Sequence, residues 1–195
     1  MRPLRNDPAV EAAFAAVPSE QIAEIIDGEL HVQSRPGRRH TRSASRLGAE
    51  LGGPFDRGKN GPGGWVILDE PELHLGPRPD KLVPDLAGWR RARMPDALGD
   101  GDDDAHYALV PDWICEVISA STERTDRIKK MRIYRRDGVG HVWLLSPVPQ
   151  TLEVDRVDER EEGRWTLLAT HEGEERVRAE PFEAFELELG ALWER

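Results

Sequence analysis

Three pieces of sequence, Leu82-Val-Pro-Asp-Leu-Ala-Gly-Trp89, Trp113-Ile-Cys-Glu-Val-Ile118 and Asp126-Arg-Ile-Lys-Lys-Met131, decide how this chain is to be read. The first two are short, apolar and β-rich, so each is expected to be a buried strand, yet each carries one carboxylate, Asp85 or Glu116. An ionised carboxylate among Val, Leu and Ile is costly to bury unless a cation, a hydrogen-bond network or a proton satisfies it. In Trp113-Ile118 the alternation places Ile114, Glu116 and Ile118 on one face and Trp113, Cys115 and Val117 on the other. Both faces are apolar, which predicts a central strand.

The third piece distinguishes two adjacent lysines. At about 100° per residue, Lys130 lies near 40° from Asp126, on the arc of Ile133 and Tyr134, whereas Lys129 shares an arc with Arg132 and Arg136. Lys130 is therefore expected to point inward and Lys129 outward. An inward ammonium needs an acidic partner, either Asp126 one turn earlier or the carboxylates of the strands. Asp85, Glu116 and Lys130 together suggest one metal-dependent hydrolytic site in which two carboxylates bind a divalent cation.

Outward from this centre, residues 9–16 are expected to form a short helix stopped by Pro18. A hairpin follows over residues 22–32, turned by Asp27-Gly28, with Glu24 in its first strand. Residues 38–51 carry Ala44, Leu47 and Leu51 at helical spacing, with Arg38, Arg42 and Arg46 on a second stripe. His40, at the start of that helix, is expected to face solvent. Residues 52–64 are rich in glycine and predict a loop, followed by strands at 65–68, 73–75 and 82–89. After Glu116 comes a helix to about Arg136, ended by Asp137-Gly138, and then a strand at 141–145, which together form a βαβ unit with parallel strands. Two antiparallel strands, 151–157 and 165–168, are added beyond Pro147, and Phe182, Phe185, Leu187 and Leu189 are expected to pack near the end.

Composition narrows the classes. The 195 residues are expected to make a single domain with a core over about 22–157, a mobile acidic insertion at 96–106 and a C-terminal β extension at 158–195. The acidic run resembles half of a calcium loop but lacks its spaced glycine and terminal glutamate. The only cysteine, Cys115, excludes an intrachain disulfide and a cysteine-based zinc site. There is no long apolar run or secretory leader, so a cytoplasmic protein without membrane association is expected. The net charge of −10, from 27 basic and 37 acidic residues, argues against a generic polyanion binder but not against local binding. Arg35, Arg38, Arg39, Arg42 and Arg46 share a segment without acid, and Arg90, Arg91 and Arg93 are further candidate phosphate contacts.

The order Glu24 with Ile-Ile-Asp-Gly-Glu-Leu30, Pro84-Asp85, Glu116-Val-Ile-Ser119, Asp126, Lys130, Tyr134, Gly138-Val139 and Trp143-Leu-Leu145 resembles the PD-(D/E)XK nuclease superfamily. It is more closely similar to the branch called the Uma-two family of restriction-endonuclease-like proteins. The resemblance implies a mixed α/β (α+β) fold: a restriction-endonuclease-like core with a central mixed β-sheet flanked by helices, and additional antiparallel strands at the C-terminus. It also implies a magnesium- or manganese-dependent endonuclease acting on DNA. Asp85 and Glu116 are then the metal ligands, and Asp85, Glu116, Lys130 and Glu24 the catalytic set. Arg38, Arg42 and Arg46 are the candidate nucleic-acid contacts, and His40 is a candidate match to a family histidine, although a solvent-facing histidine at a helix start is the expected reading. A homodimer is compatible with the sequence. In the superfamily a lysine stands two positions after the glutamate, where this chain has Ile118, so Lys130 has to replace the missing amine from the following helix. Two other readings stay open: a nuclease-fold protein that binds without cutting, and a metal hydrolase acting on a small phosphodiester.

Overall fold

A computed structural model describes residues 6–94, 106–158 and 164–193. Its centre is a six-stranded mixed sheet in the order β10-β9-β8-β7-β6-β3. The strands are β3 (Trp65–Asp69), β6 (Leu86–Arg90), β7 (Trp113–Val117), β8 (His141–Ser146), β9 (Thr151–Asp158) and β10 (Arg164–Glu172). Only β7 and β8 run parallel, and the connection between them is helical, as a parallel crossover requires. A second sheet, β2-β1-β5-β4, is built from β1 (Gln21–Ile26), β2 (Glu29–Ser34), β4 (Leu73–Leu75) and β5 (Asp80–Leu82).

The helices are α1 (Pro8–Ala15), α2 (Arg38–Leu51), α3 (Met131–Asp137) and α4 (Gly190–Trp193). Asp7 caps α1 by accepting from the Ala9 N–H at 2.8 Å. The β1–β2 hairpin turns at Asp27 and Gly28, both with positive φ (55° and 82°), the geometry that a two-residue turn demands. Among the described residues, no helix is long and apolar enough to cross a membrane.

Apolar packing covers both faces of the central sheet. On one face Leu47 and Leu51 of α2 meet Trp113, Cys115, Val117 and Trp143. Phe182 sits in the middle of this face, its ring centroid 4.7 Å from Phe55, 4.8 Å from Trp65 and 4.9 Å from Trp113. It fastens the segment after β10, including the short pair β11 (Arg176–Val177) and β12 (Leu187–Glu188), to the sheet. On the other face Ile114, Ile118, Val142 and Leu144 meet Ile133 and Tyr134 of α3 and Ile26, Leu75 and Leu82 of the smaller sheet. Glu116 points towards this second face, between Ile114 and Ile118.

Three expectations change, the first in the glycine-rich stretch 52–64, which opens with a π-helical turn, Gly52–Asp56, rather than a loop. The stretch 82–89 is not one strand: β5 ends at Leu82 and β6 begins at Leu86, in different sheets, with Val83-Pro84-Asp85 as the crossing. Pro84 has no N–H for a ladder and biases the residue before it, so the break falls where the sequence chemistry allows it. Asp85 therefore stands at a bend rather than within a buried strand. The helix after β7 is also not purely α-helical, because a π-helical turn, Thr125–Lys130, runs directly into α3. The acidic run lies in residues 95–105, outside the described residues.

Candidate metal-dependent hydrolytic site

The crossing between sheets and the π-helical turn bring the acidic side chains together. Glu116 comes from β7, Glu24 from β1, and Asp126 and Lys130 from the π turn; each is at most 3% exposed as a residue. Lys130 Nζ lies 2.9 Å from Glu24 Oε1, 3.3 Å from Glu116 and 3.5 Å from Asp126 Oδ1. An ammonium has three N–H donors, and three carboxylates face them. Tyr134 of α3 donates its hydroxyl hydrogen to Glu116 Oε1, and Glu24 Oε1 also accepts from the Val83 N–H at 2.9 Å. The hairpin is thereby tied to the crossing that carries Asp85.

Asp85 is held at the edge of this cluster. Its Oδ2 accepts from the Val117 N–H at 2.7 Å, and its Oδ1 bonds Nε2 of His40, from the first turn of α2. His40 was expected in solvent; its side chain is instead 15% exposed and packed against Asp85. The reason is the placement of α2, whose Leu47 and Leu51 bury against the central sheet and bring the first turn over the crossing. His40, Asp85, Glu116, Asp126 and Lys130 line one cleft of about 420 Å³, with Arg35 and Glu70 also on its wall, paired at 3.0 Å.

The cluster holds more acid than base. Burial pushes the Glu116 carboxyl well above the ordinary carboxylate range; Lys130 opposes this, while Asp126, Asp85 and Glu24 add to it. Asp126 is raised for the same first reason, with Lys130 again opposing. Burial works against the charge on Lys130, but Glu116, Glu24, Tyr134 and Asp126 outweigh it and hold the ammonium well above its usual range. Lys130 is thus held in its charged form. The same environment raises Tyr134, so its hydroxyl remains a donor.

The arginines divide. Lys129 is outside the cluster, beside His31 at 3.3 Å, with its side chain 37% exposed. Arg38 and Arg42 line a different cleft, together with Arg39, and Arg46 donates to the Ala191 carbonyl at 2.6 Å, which fastens α2 to α4. Arg91 is paired with Asp56 and Arg93 with Asp112, each at 2.6 Å, and Arg90 lies over the Trp65 ring. Of the groups not counted as site residues in the sequence, His40 had no local signal beyond its match to a family histidine. Asp126 and Tyr134 had one: they share the helical arc of Lys130.

Among the described residues, no group of three His, Cys, Asp or Glu side chains is arranged to hold a metal ion. Asp85 and Glu116 nonetheless offer hard oxygen donors, and magnesium is commonly held by one or two carboxylates plus water and substrate phosphate rather than by an all-protein cage. The donor set fits such an ion in its chemistry.

A computed comparison with solved structures finds the crystal structure of a putative nuclease belonging to DUF820 from Anabaena variabilis ATCC 29413. It is 20% identical, with a TM-score of 0.67, and the match covers 95% of this chain and 98% of that one. This likeness supports the restriction-endonuclease-like architecture. No curated protein matches the chain. The family model Uma2, described as "Putative restriction endonuclease", matches residues 11–190, and the chain belongs to that family.

Proposed function

We propose that this protein is a divalent-metal-dependent nuclease that hydrolyses phosphodiester bonds of DNA. The observation that carries the reading is the charge imbalance at one site, where Asp85, Glu116 and Asp126 line a cleft beside Lys130 and Glu24 pairs with the same lysine. Such a surplus calls for further positive charge, and Asp85 and Glu116 are the groups to hold a magnesium or manganese ion. When bound, the ion supplies charge neutralisation at the phosphate and lowers the pKa of water. Glu24 and Asp126 fix the ammonium of Lys130, which stays charged beside Glu116 and stabilises negative charge developing at the reacting phosphate. Tyr134 orients Glu116, and His40 with the Val117 N–H orients Asp85. The α2 stripe of Arg38, Arg42 and Arg46 supplies positive charge for the nucleic acid. Incubation of the full chain with DNA and magnesium or manganese should give cleavage that Asp85→Ala abolishes; a folded parent that leaves DNA intact with either ion would refute the reading.

One observation favours a protein that binds nucleic acid without cutting. Three carboxylates lie within 3.5 Å of the Lys130 ammonium and compete with an attacking water for its donors. The same assay separates the two, because a binding module gives retention without cleavage.

A further inference from the structure

The first turn of α2 stands between two clefts. Gly37 and His40 border the acidic cleft, whereas Arg38, Arg39 and Arg42 line a second cleft, also of about 420 Å³, on another side of the same helix. An α-helix with its side chains is about 10–12 Å across, so the clefts are near neighbours. Besides the arginines, the second cleft is bordered by Val148, Gln150 and Trp193, and no acidic side chain lines it among the described residues.

We propose that this second cleft is a subsite for a flanking nucleotide of the strand whose phosphodiester lies in the acidic cleft. The proposal rests on the nuclease reading and deepens it, because it requires a polynucleotide substrate rather than a small phosphodiester. Three features support it. Among the described residues Arg38 and Arg39 make no ion pair, whereas Arg35, Arg91, Arg93, Arg127 and Arg132 each hold a carboxylate. In a chain with net charge −10, two adjacent exposed guanidiniums without carboxylates form a local exception, suited to a phosphate.

The second feature is the helix itself. The first turn of α2 contains no acidic residue, and Gly37 at its N-cap has no side chain to satisfy the free N–H groups. The positive end of the helix, which has Gly37 at the acidic cleft and Arg38 and Arg39 at the second, favours an anion at both. The third is the apolar part of the lining. Val148 is 73% exposed, the largest exposure among the described large hydrophobics, and the indole of Trp193 is fixed by its N–H to the Gly173 carbonyl at 2.7 Å. Apolar side chains and guanidiniums in one lining match a nucleotide, whose base and sugar meet the former and whose phosphate meets the latter.

The test uses the full chain with calcium in place of magnesium and a labelled single-stranded DNA of about twelve nucleotides, within the range of single-strand site sizes. Anisotropy is followed across a salt series. Replacing both arginines, Arg38→Ala with Arg39→Ala, should reduce the slope of log affinity against log salt by about 1.4, at about 0.7 per lost phosphate contact. Val148→Asp, a change on an exposed side chain that leaves folding intact, should weaken binding by about tenfold or more at low salt through like-charge opposition to the bound phosphate. Arg176→Ala, outside both clefts, should keep the parent slope. Equal slopes in the parent and the folded double variant would overturn the subsite. Hydrolysis of bis-p-nitrophenyl phosphate by the parent with manganese is measured alongside. Hydrolysis without oligonucleotide binding overturns the subsite and leaves the hydrolytic reading intact. Arginine-dependent binding without hydrolysis of either substrate upholds the subsite and removes the hydrolytic reading.

Discussion

Lys130 and Glu24 form the buried ion pair that joins the N-terminal hairpin to the π-helical turn, with Nζ 2.9 Å from Oε1 and neither side chain more than 3% exposed. Removing one partner of a buried pair leaves uncompensated charge, which typically costs 3–5 kcal/mol. Lys130→Met should therefore destabilise the protein by roughly that amount near neutral pH, since Glu24, Glu116 and Asp126 all lose their counter-ion. Lys129→Met should stay within about 0.5 kcal/mol of the parent. Chemical denaturation of both variants measures this. If the nuclease reading holds, Lys130→Met should also cleave at least ~100-fold more slowly than Lys129→Met under conditions where both are folded.

The raised carboxyls of Glu116 and Asp126 set the pH dependence of the chelated protein. A carboxyl raised in the folded state binds its proton more tightly there than in the unfolded chain, so stability falls as pH rises through and above the ordinary carboxylate range. Asp126→Asn removes one surplus acid while leaving Lys130 its two closer carboxylates, and should flatten that decline. Denaturation midpoints from about pH 4 to 8 compare the two; a parent that gains stability steadily across this window from these groups would contradict the assignment.

His40 and the Val117 N–H hold the two oxygens of Asp85. Loss of a group that orients a metal-binding side chain typically weakens metal affinity or activity by about 10–100-fold. His40→Ala should weaken manganese binding by a factor in that range, with the fold retained because His40 lies at the cleft rather than in the core. Unchanged affinity would show that the Val117 N–H is sufficient to place Asp85.

Phe182 tests the scaffold separately from the chemistry. Its ring fills the space among Phe55, Trp65, Trp113 and Trp143, all on the sheet face opposite Glu116. Phe182→Ala should cost about 3–5 kcal/mol by opening a cavity. Metal affinity of the folded variant should match the parent, and a loss comparable to that in His40→Ala would mean that the two sheet faces are coupled.

Much of this architecture was legible because its signals are local. Leu47 and Leu51 at helical spacing mark α2, Asp27-Gly28 marks the hairpin, and the apolar strand, helix and strand from Trp113 to Ser146 mark the parallel crossover. Lys130 was separable from Lys129 because a π-helical turn still places residues four apart, Asp126 and Lys130, on one side. The sheet change at Val83-Pro84-Asp85 was not legible, since apolar residues flank Pro84 on both sides and only tertiary pairing sends β5 and β6 to different sheets. His40 was missed for a similar reason. It lies 45 residues from Asp85, and nothing in its own turn of helix specifies the packing that joins them.

Asp85 and Glu116 are proposed to hold one catalytic divalent cation. Calorimetric titration of manganese into the full chain, beside Asp85→Ala and Glu116→Ala, tests it most directly. One ion per chain is expected in the parent and no measurable binding in either folded variant. Binding to both variants with the parent's affinity, or no binding to the parent, would contradict it.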